Sequence, residues 1–498
     1  MKKQIEKLAR ETALYSISSI LGKFLNWMMV PLYTYVLPRS ADYGIITNLY
    51  SWTALLLVFL TYGMETGFLR FANQRREEAD KVYSTTLISV GVSSLIFAVM
   101  TVLYQRPLAE VIGYASHPEF IGMLGTVVAL DAFGCIPFVY LRYQNRPVRF
   151  VAINLLAVFA KIALNVFFLV VCPWLQLKHP SLIEWFYRPD YGVGYVFLAN
   201  LISTGLVTVI LLFDVFVVRF SFDVKLWLRM LKYSLPLVLL GVAGIMNQTF
   251  DKILFPFLLP GEFGKAELGI YGATSKIALV IMMLSQAFYY SYEPFIFAER
   301  TDKDSLKAYA SSMKFYVLIV LTVFLGMVLY MDALKYLIRR DYWIGLEVVP
   351  VVMLSYIFQG VYFNLSLWYK LTDKTWYGAL FSVIGAAIII GGNVILVPIF
   401  SYWGSAWATV ICYLSIMLIS YFMGQKRMPI AYDLKTIGLY SGVTILLFTL
   451  STFIKTPYFA VNFLLKTLLM VAFLVLLVKR DVPLKTIPVL NKFFKHNI

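Results

Sequence analysis

Apolar runs of about twenty residues recur along the whole chain, separated by short polar or Gly- and Pro-marked turns. Runs of this length match a hydrocarbon layer of roughly 30 Å at about 1.5 Å rise per residue. Inside lipid a backbone amide must find its partner within its own segment, so each run is expected to be a helix. A spanning barrel would read as short alternating segments, and none is visible. The pattern predicts an all-α integral membrane protein of about fourteen transmembrane helices, at 12–37, 43–68, 82–104, 119–143, 148–173, 192–218, 230–258, 267–292, 313–338, 344–370, 376–399, 403–424, 434–454 and 458–478. Aromatic residues gather near many of the ends, as in interfacial belts.

A weak internal repeat divides the chain. At a shift of 225 positions the first span falls on the seventh, Pro31 on Pro256 and Gly44 on Gly269, and DYGII lies beside ELGIY. This predicts two six-helix lobes around a central cavity, plus two C-terminal helices. The N-terminal lobe covers 1–218 and the C-terminal lobe 230–424; two additional spans and a basic tail cover 425–498. A cytoplasmic amphipathic linker over 219–229, with Phe222, Leu226 and Trp227 placed for a membrane surface, joins the lobes. Parallel repeats of this kind are common in transporters, with the substrate site between them.

Composition agrees: 60% of the 498 residues are hydrophobic and 14% charged, too little charge to cover a soluble protein of this size. The formal net charge of +16 sits between the apolar runs, so it reads as topology and not as a nucleic-acid surface. With the N-terminus inside, Lys and Arg favour the cytoplasmic segments by roughly three to one, which predicts both termini in the cytoplasm. The charged N-terminus leads into a run too long for a signal peptide, so a retained first span is expected. Cys135, Cys172 and Cys412 fall in or beside apolar runs with no metal or disulfide spacing. No cofactor or metal site is suggested. There is no phosphate-cradling loop with Lys-Ser/Thr, no HExxH and no GxSxG, so neither an ATPase nor a hydrolase is indicated.

The candidate chemistry lies in polar groups at membrane depth. Ser16, Ser19, Lys23 and Asn26 share one helix face; the shift of 225 brings them onto Gly241, Gly244, Gln248 and Asp251. Small residues suit helix packing, but a lysine near mid-membrane costs about 3 kcal/mol unless hydrated or paired. Lys23, Lys161, Lys252 and Lys276 outnumber Asp131 and Asp251 at depth. Asp131 and Lys161 lie on consecutive spans, where they could pair. The surplus suggests a cationic wall suited to a diphosphate, with Asn26 and Gln248 alongside. Arg70, Arg142, Arg146 and Arg149 fall at the predicted inner ends of spans; topology explains them, and a phosphate landing site would use their fork geometry. No histidine lies in a span, so ion coupling would fall to Asp131 and Asp251, with Glu65 and Glu293 nearer the inner interface.

Several strings resemble the polysaccharide-transporter (Wzx-type flippase) family. They are GKFLNWMMVPLYTYVLPRSADYGI and YGMETGFLRFA in the first lobe. In the second they are YSLPLVLLGVAGIMNQTFDKILFPFLLPGEFGKAELGIYGATSKIAL and QAFYYSYEPFIFAER. Together they cover about a third of the chain, in aromatic-glycine and proline patterns without catalytic signatures. The resemblance implies the multidrug/oligosaccharidyl-lipid/polysaccharide exporter superfamily. It further implies alternating access and translocation of undecaprenyl-diphosphate-linked repeat units across the bacterial inner membrane. O-antigen, capsule and exopolysaccharide are all open as the product. A cavity lined by cations, here Lys23, Lys161, Lys252 and Lys276, is implied as well. Expected partners are the lipid-linked oligosaccharide, the bilayer, H+ or Na+, and a glycan polymerase or glycosyltransferases of the same pathway. Two other readings stand beside it. A multidrug or cation exporter would call for an acidic cavity. A membrane glycan polymerase or ligase would call for a sizeable outer loop, and the outer acids (Asp42, Glu110, Glu184, Asp190) are scattered.

Overall fold

In the computed structural model, residues 21–74, 78–216, 220–298, 303–454 and 456–481 are described, with backbone alone for 290–298 and 303–305. No strand occurs among them. Among the described residues thirteen helices are long and apolar enough to cross a membrane. They coincide with predicted spans two to fourteen. The first span is described only from residue 21, and its C-terminal part is helix α1 (Met29–Val36); Ser16 and Ser19 lie outside the described residues.

The first lobe continues with α2 (Ser40–Thr61), α3 (Met64–Gln74), α4 (Ala79–Leu103), α5 (Glu119–Tyr143), α6 (Pro147–Val166) and α7 (Val193–Val215). The second lobe holds α8 (Val224–Ile253), α9 (Gly261–Ala298), α10 (Lys303–Leu329), α11 (Val349–Leu365), α12 (Trp376–Phe400) and α13 (Tyr402–Arg427). Helices α14 (Leu434–Phe453) and α15 (Phe459–Arg480) complete the bundle. α2 and α3 are one span interrupted at Tyr62 and Gly63, both at positive φ.

The linker differs from its expectation. Residues 224–229 are the first turns of α8 and not a separate surface segment. The Asp223 carboxylate caps the helix by accepting from the Leu226 N–H at 3.0 Å. It also pairs with Lys81 of α4 at 2.7 Å, and the Trp227 indole donates to Ser89 Oγ at 2.7 Å. Capping and docking together make continuing the helix better than bending along the membrane. The Lys81 hydrogen bond, then the Leu226 N–H, hold the Asp223 carboxyl well below the usual range, at about 2. A carboxyl whose pKa is lowered by folding stabilises the clasp fully above its unfolded value near 4 and loses that contribution as pH falls through about 2. Acidification across that interval is expected to free the Trp227 indole N–H from Ser89, read as a shift of its NMR resonance. Asp223→Asn should show the shifted resonance already at neutral pH.

α14 begins by the same device: Asp433 accepts from the Thr436 N–H at 3.1 Å and faces Lys314 of α10 at 4.0 Å. Lys314 also meets Asp481 at 3.5 Å, and Lys466 of α15 meets Asp332 at 2.6 Å. The last two helices are thus fastened to Lys314 in α10 and to Asp332 just beyond its end.

The lobes meet where α2 crosses α9, and the contact obeys the repeat. A Cβ on Gly44 would lie 1.9 Å from the Lys265 carbonyl oxygen, and one on Gly269 would lie 1.9 Å from that of Ser40. Ser40 and Lys265 are themselves related by the shift of 225. Thr47 packs on its own counterpart, Gly272, whose Cβ would meet Thr47 Oγ1 at 2.3 Å. The two glycines align in sequence because a pseudo-twofold axis runs between them, and only glycine permits backbones this close.

Candidate functional site: a cationic chamber between the lobes

Beside this crossing lies a chamber of about 410 Å³, walled by the first span, α2 and α6 from one lobe and by α8, α9, α11 and α13 from the other. It is closed at the end where α1 meets α2. Arg339 donates to the carbonyls of Leu37 and Pro38 at 2.8 and 2.9 Å, and Tyr35 OH to the Tyr336 carbonyl at 2.9 Å. Arg39 reaches Glu262 at 3.6 Å, and Tyr43 packs edge-on against Tyr342.

Six of the polar residues singled out in the sequence line the chamber: Asn26, Lys161, Gln248, Asp251, Lys252 and Lys276. Their chemistry is not uniform. Lys252 is neutralised by its neighbour Asp251 at 2.6 Å, and Asp251 Oδ2 also accepts from Tyr271 OH at 2.8 Å. Lys161 and Lys276 have no carboxylate within ion-pairing distance among the described residues. Lys161 instead sits 4.9 Å over the Tyr50 ring. The ammonium groups of Lys252 and Lys161 are near enough to repel that of Lys276. The wall therefore carries two ammonium groups outside any ion pair among the described residues, an arrangement that attracts a divalent anion.

Lys23 is not on this wall. Its Nζ donates to Gln286 Oε1 at 2.6 Å, ten residues or about 15 Å along α9 from Lys276. It is a bond between lobes, made to a neutral amide. The suggested Asp131–Lys161 pair is also absent. Asp131 feels the Lys161 charge and lies beside Thr204, but no ion pair forms, because the Lys161 side chain turns to Tyr50. Asp131 does not line the chamber, nor does Glu65, which faces Cys135. The Glu293 side chain lies outside the described residues.

The four arginines do not converge either. Arg70 stacks 4.1 Å over Tyr233 of α8, whereas Arg149 pairs at 2.9 Å with Asp214 of α7, whose side chain is 5% exposed. Arg142 and Arg146 are exposed at the turn between α5 and α6. Arg149 is thus held within its own lobe and Arg70 by the other lobe, and none of the four lines the chamber.

Sequence reasoning missed Tyr50, Asn247, Ser275 and Tyr356, all on the wall. Asn247 lies one turn before Asp251 on the same helix face, a spacing that could have flagged it. The others sit among apolar neighbours with no local signal.

A family model described as "Polysaccharide biosynthesis protein" matches residues 8–292. The chain belongs to this family. No curated protein matches its sequence. Among solved structures it is similar to the lipid II flippase MurJ in an inward closed conformation, with TM-score 0.72 and 14% identity over 95% of this chain and 99% of that one. It is also similar to an inward-facing multidrug resistance MATE family transporter of the MOP superfamily, with TM-score 0.65 and 16% identity over 87% and 99%. An outward-facing structure of that description gives 0.56 over 87% and 96%, again at 16% identity. This member of the polysaccharide biosynthesis family is a multi-pass membrane protein with the two-lobed transporter fold.

Proposed function

We propose that the protein is a flippase that moves polyprenyl-diphosphate-linked oligosaccharides across the bacterial inner membrane for surface polysaccharide synthesis. The observation that carries this reading is the pair Lys161 and Lys276, one from each lobe, which leave the chamber wall with a surplus of two positive charges. A lipid diphosphate has the matching charge, and its tail can remain in the bilayer while its headgroup enters. The termini lie in the cytoplasm, so the closed end faces outward and the described state is inward-facing. Parting the lobes at the α2–α9 crossing while they close at the opposite end exposes the site to the other side. Asp251, already shared between Lys252 and Tyr271, is the coupling carboxylate: phosphate draws Lys252 away, and H+ or Na+ replaces it. The cationic surplus speaks against a cation exporter, which needs negative charge at the same place.

Proteoliposomes holding a fluorescent undecaprenyl-diphosphate disaccharide test the reading. Purified protein is expected to expose lipid from the inner leaflet to a membrane-impermeant quencher, faster with an imposed ion gradient. Flipping at the rate of empty liposomes under every gradient would sink it.

A further inference from the structure

Pro256 is the repeat's counterpart of Pro31, and α8 breaks off just before it, at Ile253. A proline has no N–H for the carbonyl four residues earlier, so the Lys252 carbonyl loses its helical partner. Inside a span such a group must be bonded by protein. The donor comes from the other lobe. Asn48 of α2 donates from Nδ2 to the Lys252 carbonyl at 2.8 Å and lies 3.5 Å from that of Ile253. The Tyr114 hydroxyl, in the loop between α4 and α5, donates to Asn48 Oδ1 at 3.0 Å. That bond orients the amide, because only its other end can donate. Asn48 and Tyr114 are both buried. The carbonyl of Asp251, one residue earlier, is bonded within its own lobe, by Ser405 Oγ of α13 at 3.2 Å. The repeat does not reproduce the clamp: Pro31 removes the helical partner of the Trp27 carbonyl in the same way, but the residue equivalent to Asn48 is Ala273, which has no donor.

We infer that Asn48 is a positioning residue of the transport cycle: its amide supplies the hydrogen bond that Pro256 denies to the Lys252 carbonyl, and this bond latches the closed end of the two lobes. Donor and acceptor belong to different lobes, so parting them at that end breaks the bond and leaves the carbonyl orphaned. The bond therefore stabilises the closed state alone. Gly44 and Asn48 lie four residues apart on one face of α2; the glycine lets the backbones approach, and the asparagine bonds across the approach. Asn48 does not line the chamber, but the residue it holds does: the Lys252 side chain meets Asp251 on the wall. The latch thus grips the same turn of α8 that carries this ion pair. The inference concerns how the lobes are held and does not depend on what the chamber carries.

Spin labels at Val111 and Ile344, both exposed in loops at the closed end, report the distance across it in the full chain in lipid nanodiscs. Asn48→Ala is expected to raise the ratio of long to short distances about tenfold. Tyr114→Phe leaves the amide unoriented and should shift the ratio the same way by less; it carries the test alone where Asn48→Ala does not fold. Pro256→Ala gives the Lys252 carbonyl a helical N–H again, so on that background Asn48→Ala should have less than about a third of its effect. An asparagine that only packs would cost the same on both backgrounds. Distances unchanged in Asn48→Ala and Tyr114→Phe overturn the inference, and so does an Asn48→Ala shift of equal size with and without Pro256.

Discussion

Alanine at Gly44 or at Gly269 is expected to stop transport by holding the closed end of the protein open. Each added Cβ would lie 1.9 Å from a backbone oxygen of the other lobe, where ordinary contact begins at 3.4 Å. Backbone cannot rotate away as a side chain tip can, so α2 and α9 must part by more than an ångström. Overpacking of this kind costs about 3 kcal/mol, enough to shift a two-state equilibrium by roughly a hundredfold. The strain falls only on the state in which the crossing is closed. The variants should therefore fold, and spin labels at Ser40 and Lys265 should report a longer distance than in the parent. The pseudo-twofold makes a sharper demand: the two substitutions should give nearly the same distance and the same loss. Gly244, where a Cβ meets nothing within 4 Å, provides the control, and Gly244→Ala should transport normally. Normal transport in both Gly44→Ala and Gly269→Ala would show that the crossing does not move in the cycle.

The second large effect is expected at Lys161 and Lys276, where function and stability should move in opposite directions. Each ammonium on a phosphate contributes about 1.5–3 kcal/mol through charge-assisted bonding, so replacing both by methionine should weaken diphosphate-lipid binding by roughly a hundredfold or more. In the empty protein the same groups are a burden: the two ammonium groups repel each other, and the one carboxylate on the wall among the described residues, Asp251, is paired with Lys252. Methionine keeps the packing and removes that repulsion, so thermal unfolding in detergent without substrate should shift upward. Arginine at either site should retain binding. A fall in both stability and binding would mean that the lysines support the fold and do not contact substrate.

Lys23 and Lys161 illustrate how far the sequence is legible here. Both are lone lysines in apolar runs, and the same cost of burying charge marks them. One bonds to Gln286 and the other reaches the chamber. Nothing within several residues of either distinguishes them, because the deciding partner of Lys23 lies 263 positions away. Asp131 and Lys161 make the opposite case. They are close along the chain, on helices joined by a tight turn, yet helix rotation sends the Lys161 side chain to Tyr50. The arginines follow suit: their positions at span ends were readable, but Tyr233 and Asp214, on separate helices, disperse them.

What the amino-acid order alone determined is what lipid imposes on any chain: the apolar segments, their helical form and approximate ends, and the repeat visible in Gly44 and Gly269. These follow because a backbone in hydrocarbon must satisfy itself locally, and locality is what a linear pattern records. The tertiary structure decided which lysines share a cavity and which are bonded elsewhere. Those outcomes depend on the rotation of each helix about its axis and on neighbours hundreds of residues distant, set by packing between lobes that no local pattern encodes.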